Sequence, residues 1–189
     1  VVFFWIGGAL TTFAPPMLDA SWARPAPGLK DHASLAKAGD AEAAANFYVS
    51  LLPDSRIEKI QRNIIDGHSG KAGTVLVIEF TLAGQRFMAL NGGMKKEYTH
   101  AVSFKIDCAD QAEVDRLWDA LLANGGKADQ CGWLQDRFGV YWQIVPTVLM
   151  TYIGGSDSAG AQRAMQAMLG MVKLDIEGLK RAYEGMSAA

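Results

Sequence analysis

The sequence predicts an α+β fold made of two βαβββ modules in tandem. One observation is an internal repeat at a spacing of 70 residues, and the other is a set of strand-like runs after the helix of each copy. The repeat aligns Asp40 with Asp110, Phe47 with Leu117, Tyr48 with Trp118, and Leu51-Leu52 with Leu121-Leu122. The chain has 189 residues, half of them hydrophobic and 20% charged, which suits a globular protein with a buried core.

The first copy contains each element of the module in order. A strand leads to Asp40, whose carboxylate is expected to cap a helix over 41–52 with apolar residues at helical spacing. Strands over 56–63, 74–82 and 85–91 follow. Ala83-Gly84 is a hairpin signal, and residues 65–73 form a polar loop.

The second copy repeats this order. A strand leads to Asp110 as the expected cap of a helix over 111–122, and strands over 127–130, 133–136 and 140–145 follow. Beyond Pro146, residues 159–184 have helical patterning, so we expect a C-terminal helical arm over 147–189. The paired modules are expected to occupy 29–146.

The N-terminal segment 1–28 differs from the rest of the chain. Residues 1–18 carry no charge and are interrupted by Gly7-Gly8 and Pro15-Pro16, which makes them short and broken for a membrane span. Three roles stay open: an atypical extension, a cleavable or anchoring signal, and an extra element packed on the domain. The stretch 15–27 is rich in proline and is predicted to be a linker.

The charge balance argues against a nucleic-acid partner, and the cysteine count argues against a disulfide-stabilised fold. Eighteen Lys and Arg against 20 Asp and Glu give a net charge of −2, so no basic excess exists for nucleic-acid binding. Two cysteines are too few for a disulfide framework. We expect a cytoplasmic protein with no membrane partner, unless the N-terminal segment is a signal or an anchor.

Four runs resemble a known family: AEAAANFYVSLLPDSRI (41–57), FMALNGG (87–93), CGWLQDRFGVYWQIVP (131–146) and MQAMLGMVKLDIEGLKRAY (165–183). They resemble the PhnB-like, 3-demethylubiquinone-9 3-methyltransferase-like branch of the vicinal oxygen chelate superfamily, which includes glyoxalase I, bleomycin and fosfomycin resistance proteins and extradiol dioxygenases. The resemblance covers residues 30–185. It implies a glyoxalase-like half-barrel cleft enclosed by the two modules. It also implies a homodimer. The expected contact is the Met-rich C-terminal arm, with Met165, Met168, Met171 and Met186.

The resemblance also implies where a metal would bind. Family ligands come from the first and last strands of each half, and the matching positions here hold Ala33, Asn91, Ser103 and Gln143. None offers a carboxylate or an imidazole, so no tightly bound cofactor is expected. A divalent metal, if one binds, would use His100 and Gln143.

The candidate ligand site follows from strand alternation and from the resemblance. Ser103, Tyr141 and Gln143 are expected to face the cleft, while Phe104 and Trp142 face the covering helices. The ligand-binding residues we select are Asn91, Ser103, Cys131, Trp133, Asp136, Tyr141 and Gln143, and such a mixture suits a neutral or aromatic small molecule. No catalytic residue is assigned: Cys131 has no His near it in sequence to generate a thiolate.

Three functions stay open, and the sequence does not decide whether the protein is an enzyme. The first is a PhnB-like protein that binds an unidentified small organic molecule without a tight metal. The double glycines follow no strand-turn-helix context, so a genuine methyltransferase is not expected. The second is a metal-dependent lyase, isomerase or dioxygenase of the same superfamily. The third is a non-catalytic dimeric interaction module.

Overall fold

The computed structural model describes residues 2–6, 9–10, 33–36, 40–93 and 98–186, the first three ranges by their backbone alone. The chain forms two compact units. One is Ala14–Glu97, and the other joins Val1–Phe13 to Tyr98–Ala189. The predicted linker at 15–27 lies outside the described residues.

The first module is a four-stranded sheet with one helix. Its elements are β3 (Ala33–Ala36), α1 (Ala41–Leu51), β4 (Arg56–Arg62), β5 (Val75–Leu82) and β6 (Gln85–Leu90). The strand order is β3-β6-β5-β4. β3 is parallel to β6, and the other neighbours are antiparallel.

The second module repeats this topology. Its elements are β7 (Val102–Cys108), α2 (Gln111–Leu122), β8 (Lys127–Ala128), β9 (Trp133–Gln135) and β10 (Tyr141–Pro146). The order β7-β10-β9-β8 matches that of the first sheet, again with the first and last strands of the module parallel. The tandem βαβββ prediction is confirmed.

Two strands of the N-terminal segment extend the second sheet. β1 (Val2–Ile6) pairs antiparallel with β7, and β2 (Ala9–Leu10) pairs with β1. Without β1, β7 would leave a row of backbone groups unpaired at the sheet edge. Part of the segment 1–28 is therefore an added element of the sheet.

Each module buries one face of its helix against its own sheet. α1 packs on β4, β5 and β6, and α2 packs on β7, β9 and β10. The repeat-matched aromatic residues Tyr48 and Trp118 are both buried. The side chains that occupy the same place in the two copies of the sequence thus have the same role in the two cores.

The C-terminal arm contains three helices where the sequence predicted one helical stretch. They are α3 (Leu149–Ile153), α4 (Ser158–Leu169) and α5 (Ile176–Glu184). The break after α4 has a tertiary cause, because the carbonyls of Met171 and Val172 accept hydrogen bonds from the amides of Cys131 and Gly132. Leu149, Leu174 and Leu179 form a small buried cluster that holds the arm. Among the helices in the described residues, none has the length and apolar character to cross a bilayer.

The two repeated helices begin differently. Asp110 Oδ1 accepts a hydrogen bond from the Glu113 amide at 2.8 Å, as predicted. The prediction for Asp40 is wrong, because its side chain makes no capping hydrogen bond. Its backbone has a ψ of 5° where that of Asp110 has 179°, and the first helical amide, that of Ala41, donates instead to Asn91 Oδ1.

This difference predicts unequal effects of two matched substitutions. Asp110→Ala should lower the free energy of unfolding by about 1 kcal/mol, because it removes a capping acceptor. Asp40→Ala should lower it by less, since no cap is lost. Urea denaturation of both variants tests this, and equal losses would show that the two helix starts are equivalent.

Candidate functional site

The strands of the second module separate two kinds of residue onto two faces. Leu134, Trp142 and Ile144 are buried on the face that α2 covers. Phe104 packs against Trp142 with ring centroids 5.4 Å apart on the same face, as alternation predicts. Tyr141 and Gln143 alternate with these residues and therefore point to the opposite face.

The strand register brings polar and aromatic residues together on this opposite face. Gln143 lies between Trp133 on β9 and Lys105 on β7. Ser103 lies two residues before Lys105, and Tyr141 two residues before Gln143, so all five share one face. We call Ser103, Lys105, Trp133, Tyr141 and Gln143 the polar sheet face.

Ser103 and Gln143 form the buried centre of the polar sheet face. Gln143 Nε2 donates to Ser103 Oγ at 2.8 Å. Gln143 is 7% exposed and Ser103 is 1% exposed. In the part of the chain that the structure describes, Gln143 Oε1 accepts no hydrogen bond, and the Ser103 hydroxyl donates none. Buried polar groups in native proteins are nearly always satisfied, so this pair has capacity left for a further molecule.

His100 adds a third ring beside the two aromatic residues of the face. Its imidazole centroid lies 4.1 Å from that of Tyr141 and 6.2 Å from that of Trp133. Its Nε2 is 3.3 Å from Asp129 Oδ2, and Asp129 Oδ1 accepts from the Gln130 amide. The three rings give the polar sheet face an aromatic side adjacent to the Gln143 amide.

Lys105 and Asp129 are site residues that the sequence analysis missed. Lys105 is mostly buried and forms an ion pair with Asp107. Strand alternation two residues beyond Ser103 could have identified it. No sequence signal points to Asp129, since its contact with His100 depends on the fold of two loops.

Asp136 lies inside the hairpin between β9 and β10. It is 3% exposed, and Oδ1 accepts from the amides of Phe138 and Val140 at 2.8 and 3.0 Å. Oδ2 accepts from the indole Nε1 of Trp142 at 2.9 Å. These three bonds direct the carboxylate to the hairpin and to the face that α2 covers.

Cys131 contacts the C-terminal arm. Its amide donates to the Met171 carbonyl, and its thiol lies 3.6 Å from the Met168 carbonyl. Burial and the nearby Asp129 raise the pKa of this thiol. Burial likewise raises the pKa of Cys108, to about 12. Both shifts disfavour the thiolate that nucleophilic chemistry requires.

Asn91 belongs to the first module and uses both ends of its side chain there. Oδ1 accepts from the Ala41 amide, and Nδ2 donates to the Val75 carbonyl at 2.9 Å. Asn91 is 6% exposed. It connects the start of α1 to the sheet of its own module.

The donor set fits a tightly held metal poorly. Gln143 and Ser103 bond to each other, Asn91 is engaged within its module, and position 33 is alanine. Within the described ranges, no three His, Cys, Asp or Glu side chains converge on one point. Neutral amide and hydroxyl oxygens are weak ligands for divalent transition metals.

A separate groove lies on the C-terminal arm, and none of the ligand-binding residues selected from the sequence lines it. It has a volume of about 560 Å³ and is lined by Ile153, Gly154, Gly155, Ser158, Ala161, Gln162, Met165 and Gln166. No charged side chain lines it. Its polar lining residues are Ser158, Gln162 and Gln166.

The chain is similar to one protein family and to several solved structures. The model of the 3-demethylubiquinone-9 3-methyltransferase family matches residues 30–145. Among curated proteins, none matches the chain. The PhnB protein from Bacillus cereus is 34% identical, with a TM-score of 0.56, over 63% of this chain and 100% of that one.

Two further solved structures are similar. A protein from Pseudomonas aeruginosa is 20% identical with a TM-score of 0.51, over 62% of this chain and 97% of that one. The fosfomycin resistance protein FosX from Listeria monocytogenes, complexed with Mn(II) and sulfate, is 15% identical with a TM-score of 0.43. That comparison covers 65% of this chain and 93% of FosX.

Proposed function

We propose that this chain binds a small organic molecule on the polar sheet face. The chain belongs to the 3-demethylubiquinone-9 3-methyltransferase (PhnB-like) family of the vicinal oxygen chelate superfamily. The observation that carries the proposal is the Ser103–Gln143 pair, buried yet only half satisfied. A ligand that supplies the missing partners would remove the cost of leaving them unpaired. The proposal includes a cytoplasmic location, which rests on composition.

The surroundings of the pair support an aromatic ligand. Ligand sites are mostly apolar with a few placed polar groups. Tyr141 and Trp133 supply the apolar surface, and Gln143 lies directly across the strand pair from Trp133. A planar molecule can therefore place a face against the rings and an edge against the amide.

The proposal does not extend to methyl transfer. Binding of a nucleotide-like methyl donor normally uses a glycine-rich turn between a strand and a helix. In this chain Gly125-Gly126 follows α2, and Gly154-Gly155 lies between α3 and α4. Gly92-Gly93 follows β6, but the next element in the described residues is the strand β7 and not a helix. The family description thus supports the fold, whereas the polar sheet face supports binding.

A titration with 2-naphthol, a flat aromatic molecule with one hydroxyl donor, tests the binding site. Gln143→Met should weaken binding about tenfold, because one hydrogen bond of about 1.4 kcal/mol is lost. Gln61→Met makes the same change on an exposed strand of the first module and should leave affinity unchanged. Calorimetry gives the dissociation constants. Equal affinity of the two variants, or no binding to the unmodified chain, would contradict the proposed site.

We propose that the site binds its ligand without a tightly held metal. Elemental analysis of the purified chain should give far less than one zinc, manganese, nickel or iron per molecule. Added metal should leave the melting temperature unchanged, whereas a metal at 100 times its dissociation constant would add about 2.7 kcal/mol of stability. One metal per chain that is lost in His100→Ala and kept in His68→Ala would instead support the metal-dependent alternative.

We also propose a homodimer formed through the C-terminal arm. Met165, Leu169, Val172 and Met186 are exposed apolar residues of the arm. Of the four methionines selected from the sequence, Met168 and Met171 pack against the Leu149–Leu174–Leu179 cluster of their own chain. The proposed contact therefore uses Met165 and Met186 with their exposed neighbours.

One charged substitution tests this contact. Leu169→Glu, at a residue 55% exposed, should convert the dimer to a monomer because it buries a charge in the interface. Ile64→Glu changes a residue 92% exposed in the first module and should leave the dimer intact. Sedimentation velocity measures both. A dimer that survives Leu169→Glu would rule out this surface.

A further inference from the structure

The buried pair has a definite pattern of unused hydrogen-bonding groups. With one Nε2 hydrogen of Gln143 donating to Ser103 Oγ, Oε1 is left as an acceptor, and the second Nε2 hydrogen and the Ser103 hydroxyl are left as donors. In the described part of the chain none of the three has a partner. A ligand that satisfies them must offer a donor to Gln143 Oε1 and, beside it, an acceptor that the Nε2 hydrogen and the Ser103 hydroxyl can reach.

The charges around the pair are already balanced. Lys105, next to Gln143 in the register, pairs with Asp107, and His100 lies beside Asp129. An ionised ligand would have to compete with these partners and would leave one of them uncompensated. A neutral ligand costs no such rearrangement.

The aromatic side sets the shape of the ligand. Directly opposed residues on antiparallel strands have Cβ atoms about 5 Å apart, so the Trp133 ring adjoins the Gln143 amide. Tyr141 and His100 continue the aromatic surface. A ring that stacks on this surface places one of its own edges against the Gln143 amide, so the hydrogen-bonding groups of the ligand can be part of the ring itself.

We propose that the polar sheet face recognises a neutral planar ring with an N–H beside a C=O, the edge of a cyclic amide. The ring N–H donates to Gln143 Oε1, the ring carbonyl accepts from the Ser103 hydroxyl, and the ring faces contact the aromatic side. This inference rests on the proposed function and specifies the chemical class of its ligand. In the opposite orientation of the Gln143 amide, the Ser103 hydroxyl would donate to Oε1 and leave Nε2 as a donor and Ser103 Oγ as an acceptor, so the ring carbonyl and the ring N–H would exchange partners.

Three ring compounds of similar size compare the cyclic-amide edge with a ring that lacks the donor and with an anion. 2-Quinolone has both the N–H and the C=O, 1-methyl-2-quinolone lacks the donor, and 2-naphthoate carries a carboxylate. Calorimetry on the full chain should show 2-quinolone binding about tenfold more tightly than the methylated compound, since methylation leaves Gln143 Oε1 unpaired. 2-Naphthoate should bind more weakly than 2-quinolone.

Ser103→Ala tests the second hydrogen bond. It should weaken 2-quinolone binding about tenfold. Ser50→Ala, at an exposed position of α1, should leave the binding unchanged. Equal affinities for the two quinolones, tightest binding of 2-naphthoate, or no effect of Ser103→Ala would each overturn the cyclic-amide inference. If 2-naphthol still binds in a Gln143-dependent way, the proposed function survives that result. If no ring compound binds, both fail.

Discussion

The hydrogen bonds of the Asp136 carboxylate hold the hairpin on which the candidate site depends. They connect the turn amides of Phe138 and Val140 to the indole of Trp142. A slip of one residue in this hairpin would exchange the two faces of β10 and place Gln143 against α2. The buried acid thus fixes which side chains reach the polar sheet face, although it does not lie there itself.

The two modules share a topology but differ in how they use a polar amide side chain at their last strand, Asn91 just after β6 and Gln143 within β10. In the first module, the Asn91 side-chain amide hydrogen-bonds to the start of α1 and to β5. In the second, Asp110 caps α2 from its own turn, and Gln143 keeps one end of its amide unused. In the first module both ends of the amide are therefore used in hydrogen bonds within the fold, whereas in the second module Gln143 Oε1 can still accept a hydrogen bond from a ligand.

Much of the fold could be predicted because its signals are local. Helical spacing and the matched Tyr48 and Trp118 predict both helices, and alternation predicts which residues share a face with Gln143. Cys131 and Asn91 could not be placed in this way, because their contacts join segments 37 residues apart for Cys131 and Met168 and 50 for Asn91 and Ala41. The contacts of Asp136 are local, with residues two to six positions away, but they depend on the turn of the hairpin and not on a periodic pattern. The His100–Asp129 contact likewise depends on loop paths that no periodic pattern encodes.

A ligand bound on the polar sheet face would contact Gln143 and its aromatic neighbours. Intermolecular nuclear Overhauser effects between bound 2-quinolone and the assigned protein test it most directly. Contacts from the ligand to the rings of Tyr141 and Trp133 and to the side-chain amide of Gln143 are the result this account predicts. Contacts confined to Ile153 and Met165 in the groove of the C-terminal arm would contradict it.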